Sequence, residues 1–138
     1  MSEKQKLLIV DDSELNRDIL KEILGSSYDY LEAENGTQAI QILEVHPEID
    51  LMLLDINMPQ MNGFQVLEHM REFQWIDEVP VVMISSEESV EIMRKAYDLG
   101  ITDYISRPFD AVIVKKRVQN TLGLYANQKR LINVVVDQ

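Results

Sequence analysis

The 138-residue chain contains no cysteine. That excludes disulfides, thiolate metal sites and a cysteine nucleophile, and it fits a reducing compartment. Glycine and proline are sparse, five and four residues, and no internal repeat, low-complexity tract or flexible linker is visible. No apolar run approaches the ~20 residues that a membrane span requires. Residues 1–6 are polar and charged, without the apolar stretch of a secretory signal, so a cytoplasmic location and no membrane association are expected. Basic residues are also in deficit. There are 13 Lys and Arg against 24 Asp and Glu, for a net charge of −11. Nucleic-acid affinity comes mainly from neutralising phosphates, so nucleic acid is disfavoured as a direct ligand.

What is present is enough for one ordinary domain with a core: 46% of the residues are hydrophobic, which rules out a disordered chain. The acidity is uneven. Residues 110–138 hold five Lys and Arg against two Asp, and the rest of the chain holds eight against 22. A weakly basic end thus follows a strongly acidic body, which sets the last stretch apart.

Short apolar runs alternate with amphipathic stretches. Residues 7–10, 51–54 and 81–84 are uninterrupted apolar runs of the kind found in buried parallel strands, and residues 28–33 and 102–106 are weaker strand candidates. Between them the helical period predicts helices over residues 13–24, 36–45, 64–73 and 87–99, with a last one from Asp110 almost to the end. In the first helix Leu15, Ile19, Leu20, Ile23 and Leu24 fall on one face, Asp12 or Ser13 can cap it, and Gly25 stands at its stop. Five alternations of strand and helix predict an α/β domain with a parallel sheet and helices on both faces.

In such a sheet the ligand site lies beyond the carboxyl ends of the strands. The residues there are Asp11 and Asp12, Asp55, Ser85 with Ser86, and Arg107. Any one of these acids is most simply a turn or cap residue; four independent turns aiming three carboxylates, a hydroxyl and a cation at one crevice are much harder to explain that way. Three close carboxylates repel by roughly 1 to 4 kcal/mol per pair. Either some are protonated or a cation sits among them. Oxygen-only ligands favour a hard ion, Mg²⁺ or Mn²⁺. A carboxylate beside such an ion can attack phosphorus and form an acyl phosphate. Ser85 can donate a hydrogen bond to a phosphoryl oxygen, and Arg107 can pair with another. These are the parts of metal-assisted phosphoryl transfer to an aspartate.

At these residues the chain resembles the receiver domains of two-component response regulators. The likeness is carried by residues 7–12 (LLIVDD), 50–63 (DLMLLDINMPQMNG), 80–85 (PVVMIS), 100–105 (GITDYI) and the Pro108-Phe109 pair, and it spans about residues 5–124. It implies a flavodoxin-like five-stranded sheet in the order 2-1-3-4-5. It also implies Asp55 as phosphoacceptor, served by a histidine kinase or phosphotransfer protein. Mg²⁺ would then be held by Asp11, Asp12, Asp55 and the backbone carbonyl of Asn57. Ser85 matches the hydroxyl that turns toward the phosphoryl group, Tyr104 the switch aromatic, and Pro108 the proline that follows a cis peptide. The departure is Arg107, where the family usually has lysine. It keeps the charge on a bulkier, planar group, and an altered phosphorylation rate or coupling to the switch is expected.

The remaining polar and sulfur-bearing residues carry weaker expectations. Glu87 and Asn57 border the crevice and either tune phosphate lifetime or are simply solvated. His46 and His69 have no partner at ligand spacing and are expected at the surface. The seven methionines belong to apolar positions, and Trp75 to packing in a loop.

Residues 1–124 are expected to form the receiver. Residues 125–138 are expected to form a helical extension or linker toward an output domain. Val118, Leu122, Tyr125, Ile132 and Val136, with Lys129 in the empty slot, give a coiled-coil-like seam. The end of the chain weakly resembles the joint in regulators with an HD-type phosphohydrolase output; the other reading is a stand-alone receiver that forms a homodimer through its last helix. For function, a phosphate-driven signalling module stands first, with no enzymatic turnover of its own. A phosphate-independent interaction module, with Arg107 filling the crevice, stands second. A hydrolase with an aspartyl nucleophile stands last, because such enzymes place Asp-x-Asp after the first strand and Asp11-Asp12 are adjacent.

Overall fold

The computed structural model describes residues 4–58, 61–86 and 89–136, of which 126–136 are described by their backbone alone. Five strands, β1 (Gln5–Val10), β2 (Tyr28–Ala33), β3 (Leu51–Asp55), β4 (Val81–Ser85) and β5 (Asp103–Ser106), alternate with α1 (Glu14–Leu24), α2 (Gly36–Val45), α3 (Gly63–Glu72), α4 (Val90–Leu99) and α5 (Ala111–Val136). The strands form one sheet in the order β2-β1-β3-β4-β5, and every pairing is parallel. This is the architecture and strand order expected from the sequence.

The uninterrupted apolar runs are explained by burial on both faces. Leu7, Ile9, Leu51, Leu53, Val82 and Ile84 pack against Leu20 and Leu24 of α1 and Val114, Val118 and Leu122 of α5. Leu8, Val10, Met52, Leu54, Val81 and Met83 face α2, α3 and α4. All five residues of β3 and all five of β4 are buried, so the sheet centre is fixed where Asp55 and Ser85 end their strands. The polar residue at the end of each apolar run is thereby brought to the rim.

The elements differ from expectation in two places. Helix α1 buries Arg17, Leu20 and Leu24, while Leu15 is 68% and Ile19 is 37% exposed. The apolar stripe read from the sequence therefore points partly outward. The buried side carries Arg17 instead, whose Nη1 donates to the carbonyl of Asp11 at 2.6 Å and whose Nε donates to Glu32 at 3.0 Å. Trp75 opens a one-turn 3₁₀ segment, Trp75–Asp77, rather than lying in plain loop, and it packs against the core. Ser13, not Asp12, caps α1, accepting from the Asn16 amide at 3.3 Å. Helix α5 runs from Ala111 to Val136 without a break.

Candidate functional site

Asp11 and Asp12 follow β1, Asp55 closes β3, Ser85 closes β4, and Arg107 follows β5. Pairing of Asp55 with Ile84, and of Ser85 with Ser106, brings these ends to one rim. A carboxylate oxygen from each of Asp11, Asp12 and Asp55 lies within 4.8 Å of the others. Asp11 and Asp55 are 0% and 1% exposed, whereas Asp12 is open to solvent. Each buried acid commits one oxygen to a local amide. Oδ1 of Asp11 accepts from the Ser13 N–H at 2.9 Å, and Oδ1 of Asp55 accepts from the Asn57 N–H at 3.0 Å. Their second oxygens converge on one group. Nη2 of Arg107 donates to Oδ2 of Asp11 at 2.8 Å and lies 2.9 Å from Oδ2 of Asp55.

Arg107 thus answers how buried carboxylates tolerate each other: the guanidinium stands between them as a fixed counter-charge. Burial still dominates at Asp55, pushing its carboxyl above the ordinary value; the Asn57 amide and Arg107 pull it back, and the Asp11 charge pushes it up again. At Arg107 burial works against the charge, but Asp55 and Asp11 outweigh it and hold the guanidinium more firmly protonated than usual. Nε of Arg107 is buried with no hydrogen-bond partner among the described residues, which fits a group held by its Nη2 end. The bond between Arg107 and Pro108 is cis, and the Arg107 amide donates to the Ser85 carbonyl at 3.1 Å.

Two supporting residues were given no role from the sequence, although Gly63 closes the 50–63 stretch that carries the resemblance. Arg17 pins the Asp11 carbonyl from beneath while paired with Glu32; a charged residue on the α1 side turned toward Asp11 was the available signal. Gly63, at the start of α3, lies against the end of β3. A Cβ there would stand 2.6 Å from the Ile56 Cα and 2.7 Å from the Asp55 carbonyl oxygen. The Gly63 amide also donates to the Ile56 carbonyl at 3.1 Å. The contact is with backbone, which cannot swing aside. Gly63→Ala is therefore expected to cost about 1 to 3 kcal/mol through forced displacement, read by urea unfolding; an unchanged midpoint would show that the loop yields freely.

Ser85 is buried at its strand end. Tyr104 is half-buried on β5, packed against the core on the α4 side, with the Arg117 guanidinium 4.9 Å from its ring centre. Asn57 is exposed and contributes its amide to Asp55. Glu87 lies outside the described residues, as do the side chains at positions 129, 132 and 136 of the seam. His46 is partly exposed and contacts Glu48 at 2.8 Å. His69 corrects the expectation of a surface residue: it is half-buried, its ring centre 4.6 Å from Phe73 and 5.5 Å from Trp75.

The family model for the response regulator receiver domain matches residues 7–119. The chain belongs to the response regulator receiver family. Among curated relatives, this receiver is 34% identical over 120 residues to the chemotaxis protein CheY1 of Helicobacter pylori, covering 86% of this chain and 97% of that one. It is 32% identical over 127 residues to a probable cyclic di-GMP phosphodiesterase of Vibrio cholerae, covering 92% of this chain but 29% of that one. In fold it is similar to the signal receiver domain of an HD domain-containing protein from Pseudomonas fluorescens Pf-5. That match has a TM-score of 0.81 and 24% identity, and covers 91% of this chain and 99% of the other. No helix of the described residues is long and apolar enough to cross a membrane.

Proposed function

We propose that Asp55 accepts a phosphoryl group from the phosphohistidine of a histidine kinase or phosphotransfer protein, with Mg²⁺ beside it. The observation that carries this reading is the convergence of one exposed and two buried carboxylates within 4.8 Å at the rim. The donor set suits a hard cation, since every ligand atom offered is oxygen. Asp11, Asp12 and Asp55, with the Asn57 carbonyl, would hold it; Asp12, facing solvent, leaves an entry side. When bound, Mg²⁺ supplies neutralisation of the phosphoryl oxygens. Mn²⁺ fits the same donors.

The chain's own residues do the rest. An Asp55 Oδ forms the new bond to phosphorus while the donor's P–N bond breaks, and the electron pair leaves on the imidazole nitrogen, which takes up a proton. The Asn57 amide fixes the Asp55 carboxylate. Arg107 leaves one carboxylate to pair with a phosphoryl oxygen. The buried Ser85 hydroxyl donates to another, and Tyr104 follows as the switch aromatic. Residues 125–138 then carry the change toward an output domain or a second copy of the chain. The cyclic di-GMP phosphodiesterase relative, of which this chain matches only 29%, supports an output domain as the recipient. The setting proposed is cytoplasmic.

The test is exposure of the protein to a small phosphoryl donor with and without Mg²⁺, followed by intact mass. One Mg²⁺-dependent phosphoryl adduct is expected, absent in Asp55→Asn. A second reading has its own observation, the Arg107 bridge across Asp11 and Asp55. If the bridge never opens, the domain is a phosphate-independent interaction module, and no adduct forms under any of these conditions.

A further inference from the structure

Strand β5 is an edge of the sheet, paired only with β4. An edge strand leaves a row of backbone groups without sheet partners. Here one side chain from the neighbouring helix covers that edge. Nη1 of Arg117, on α5, donates to the Tyr104 carbonyl. The same guanidinium lies over the Tyr104 ring at 4.9 Å and 3.8 Å from the Asp103 carboxylate. Arg117 is therefore engaged by backbone, π-face and carboxylate of two successive residues of β5. Farther along α5, the Tyr125 hydroxyl lies 3.5 Å from Oγ1 of Thr102, just ahead of β5.

We infer that Arg117 is a positioning residue that holds Tyr104 in its present rotamer and ties that rotamer to the seating of α5 on β5. The inference rests on the signalling reading given above, because it names the contact through which the switch aromatic would act on the last helix. A cation over a ring is satisfied only while the ring stays beneath it, so Tyr104 cannot turn without giving up that contact. The Asp103 and backbone contacts keep the guanidinium at the edge meanwhile. Arg117 touches neither Asp11, Asp12, Asp55 nor Arg107 in any contact described above, so its effect on the site runs through Tyr104.

The experiment reads the χ1 rotamer of Tyr104 from three-bond couplings in tyrosine-labelled protein, for wild type, Arg117→Ala and Arg117→Lys, without any phosphoryl donor. Wild type is expected to show one rotamer and Arg117→Ala two, with Arg117→Lys intermediate because it keeps the cation but loses the planar fork. Loss of an exposed cation–π contact predicts a rotamer ratio changed by about two- to fivefold. Tyr28 and Tyr30, on β2 at the opposite edge of the sheet, report general loosening of the fold and are expected to stay unchanged. A single unchanged Tyr104 rotamer in Arg117→Ala overturns the inference, and so does a change shared by Tyr28 and Tyr30. Phosphoryl uptake is measured separately on the same proteins. An absent adduct in wild type, with a Tyr104 rotamer that still depends on Arg117, would sink the phosphoacceptor reading and leave the Arg117 contact standing.

Discussion

Replacing Arg107 with methionine is expected to cost the fold about 2 kcal/mol in the presence of a chelator and to tighten Mg²⁺ binding by about tenfold or more. The guanidinium is the one cation that bridges Asp11 and Asp55 among the described residues. Without it two buried carboxylates face each other with their second oxygens uncompensated. Removing one partner of a fully buried pair costs about 3 to 5 kcal/mol. Arg107 keeps 24% of its side chain exposed, so water reaches the gap and the smaller figure applies. The same change removes a competitor. A divalent ion entering the native site competes with the guanidinium for the Asp11 and Asp55 oxygens; in the variant it enters an uncompensated acidic pocket, and about 1.4 kcal/mol of relief is a tenfold gain in affinity. Urea unfolding in chelator and in excess Mg²⁺, with calorimetric titration, measures both. Equal affinity in the two proteins would mean that Arg107 and the ion never compete.

Asp55→Asn is expected to abolish phosphoryl uptake and yet to make the metal-free fold more stable, by about 1 kcal/mol near neutral pH. Burial raises the folded-state pKa of Asp55, so the folded protein prefers the protonated, neutral carboxyl. The sign follows from linkage: a raised folded pKa contributes stability below the unfolded value, and that contribution is lost as pH rises through the folded one. An amide carries no charge to desolvate. The advantage of the asparagine variant should therefore grow as pH climbs out of the carboxylate range and vanish below about pH 4. Loss of part of the Arg107 pairing works the other way, which keeps the expected gain modest. Thermal unfolding in chelator from about pH 3.5 to about pH 8, a range that brackets carboxylate titration, tests it. A variant less stable than wild type at every pH would show that the Arg107 pairing outweighs the burial of the charge. A more stable variant with no adduct would show that uptake is lost for want of a nucleophile rather than for want of a fold.

The sheet was legible because residues 7–10, 51–54 and 81–84 are apolar without interruption, and strands buried on both faces need that. The three acids were legible for a related reason: they stand directly after such runs, so placing the strand places the acid. What the pattern concealed were contacts made by long side chains. Arg107 was legible at the crevice from its place after the last strand, but its bridge from Asp11, 96 residues away, to Asp55 was not. Arg17 broke the reading of α1 in the same way. Helical period put Leu15 and Ile19 on the apolar face, but the buried side of the helix carries Arg17 with its two polar partners beside Leu20 and Leu24. His69 is half-covered by the rings of Phe73 and Trp75, a contact that emerges only when those two residues are brought together.

The unbroken course of α5 gives the molecule a lever. Among the described side chains, Leu122 is the last of the helix buried against the sheet, and the helix continues to Val136. At about 1.5 Å per residue that arm is about 21 Å long. A tilt of about 10° at Leu122 would then sweep its tip through about 4 Å, roughly two thirds of the pitch of one helical turn. Adjustments at β5 far too small to rearrange the sheet would thus arrive at the end of the arm as displacements of about 4 Å in the helix axis.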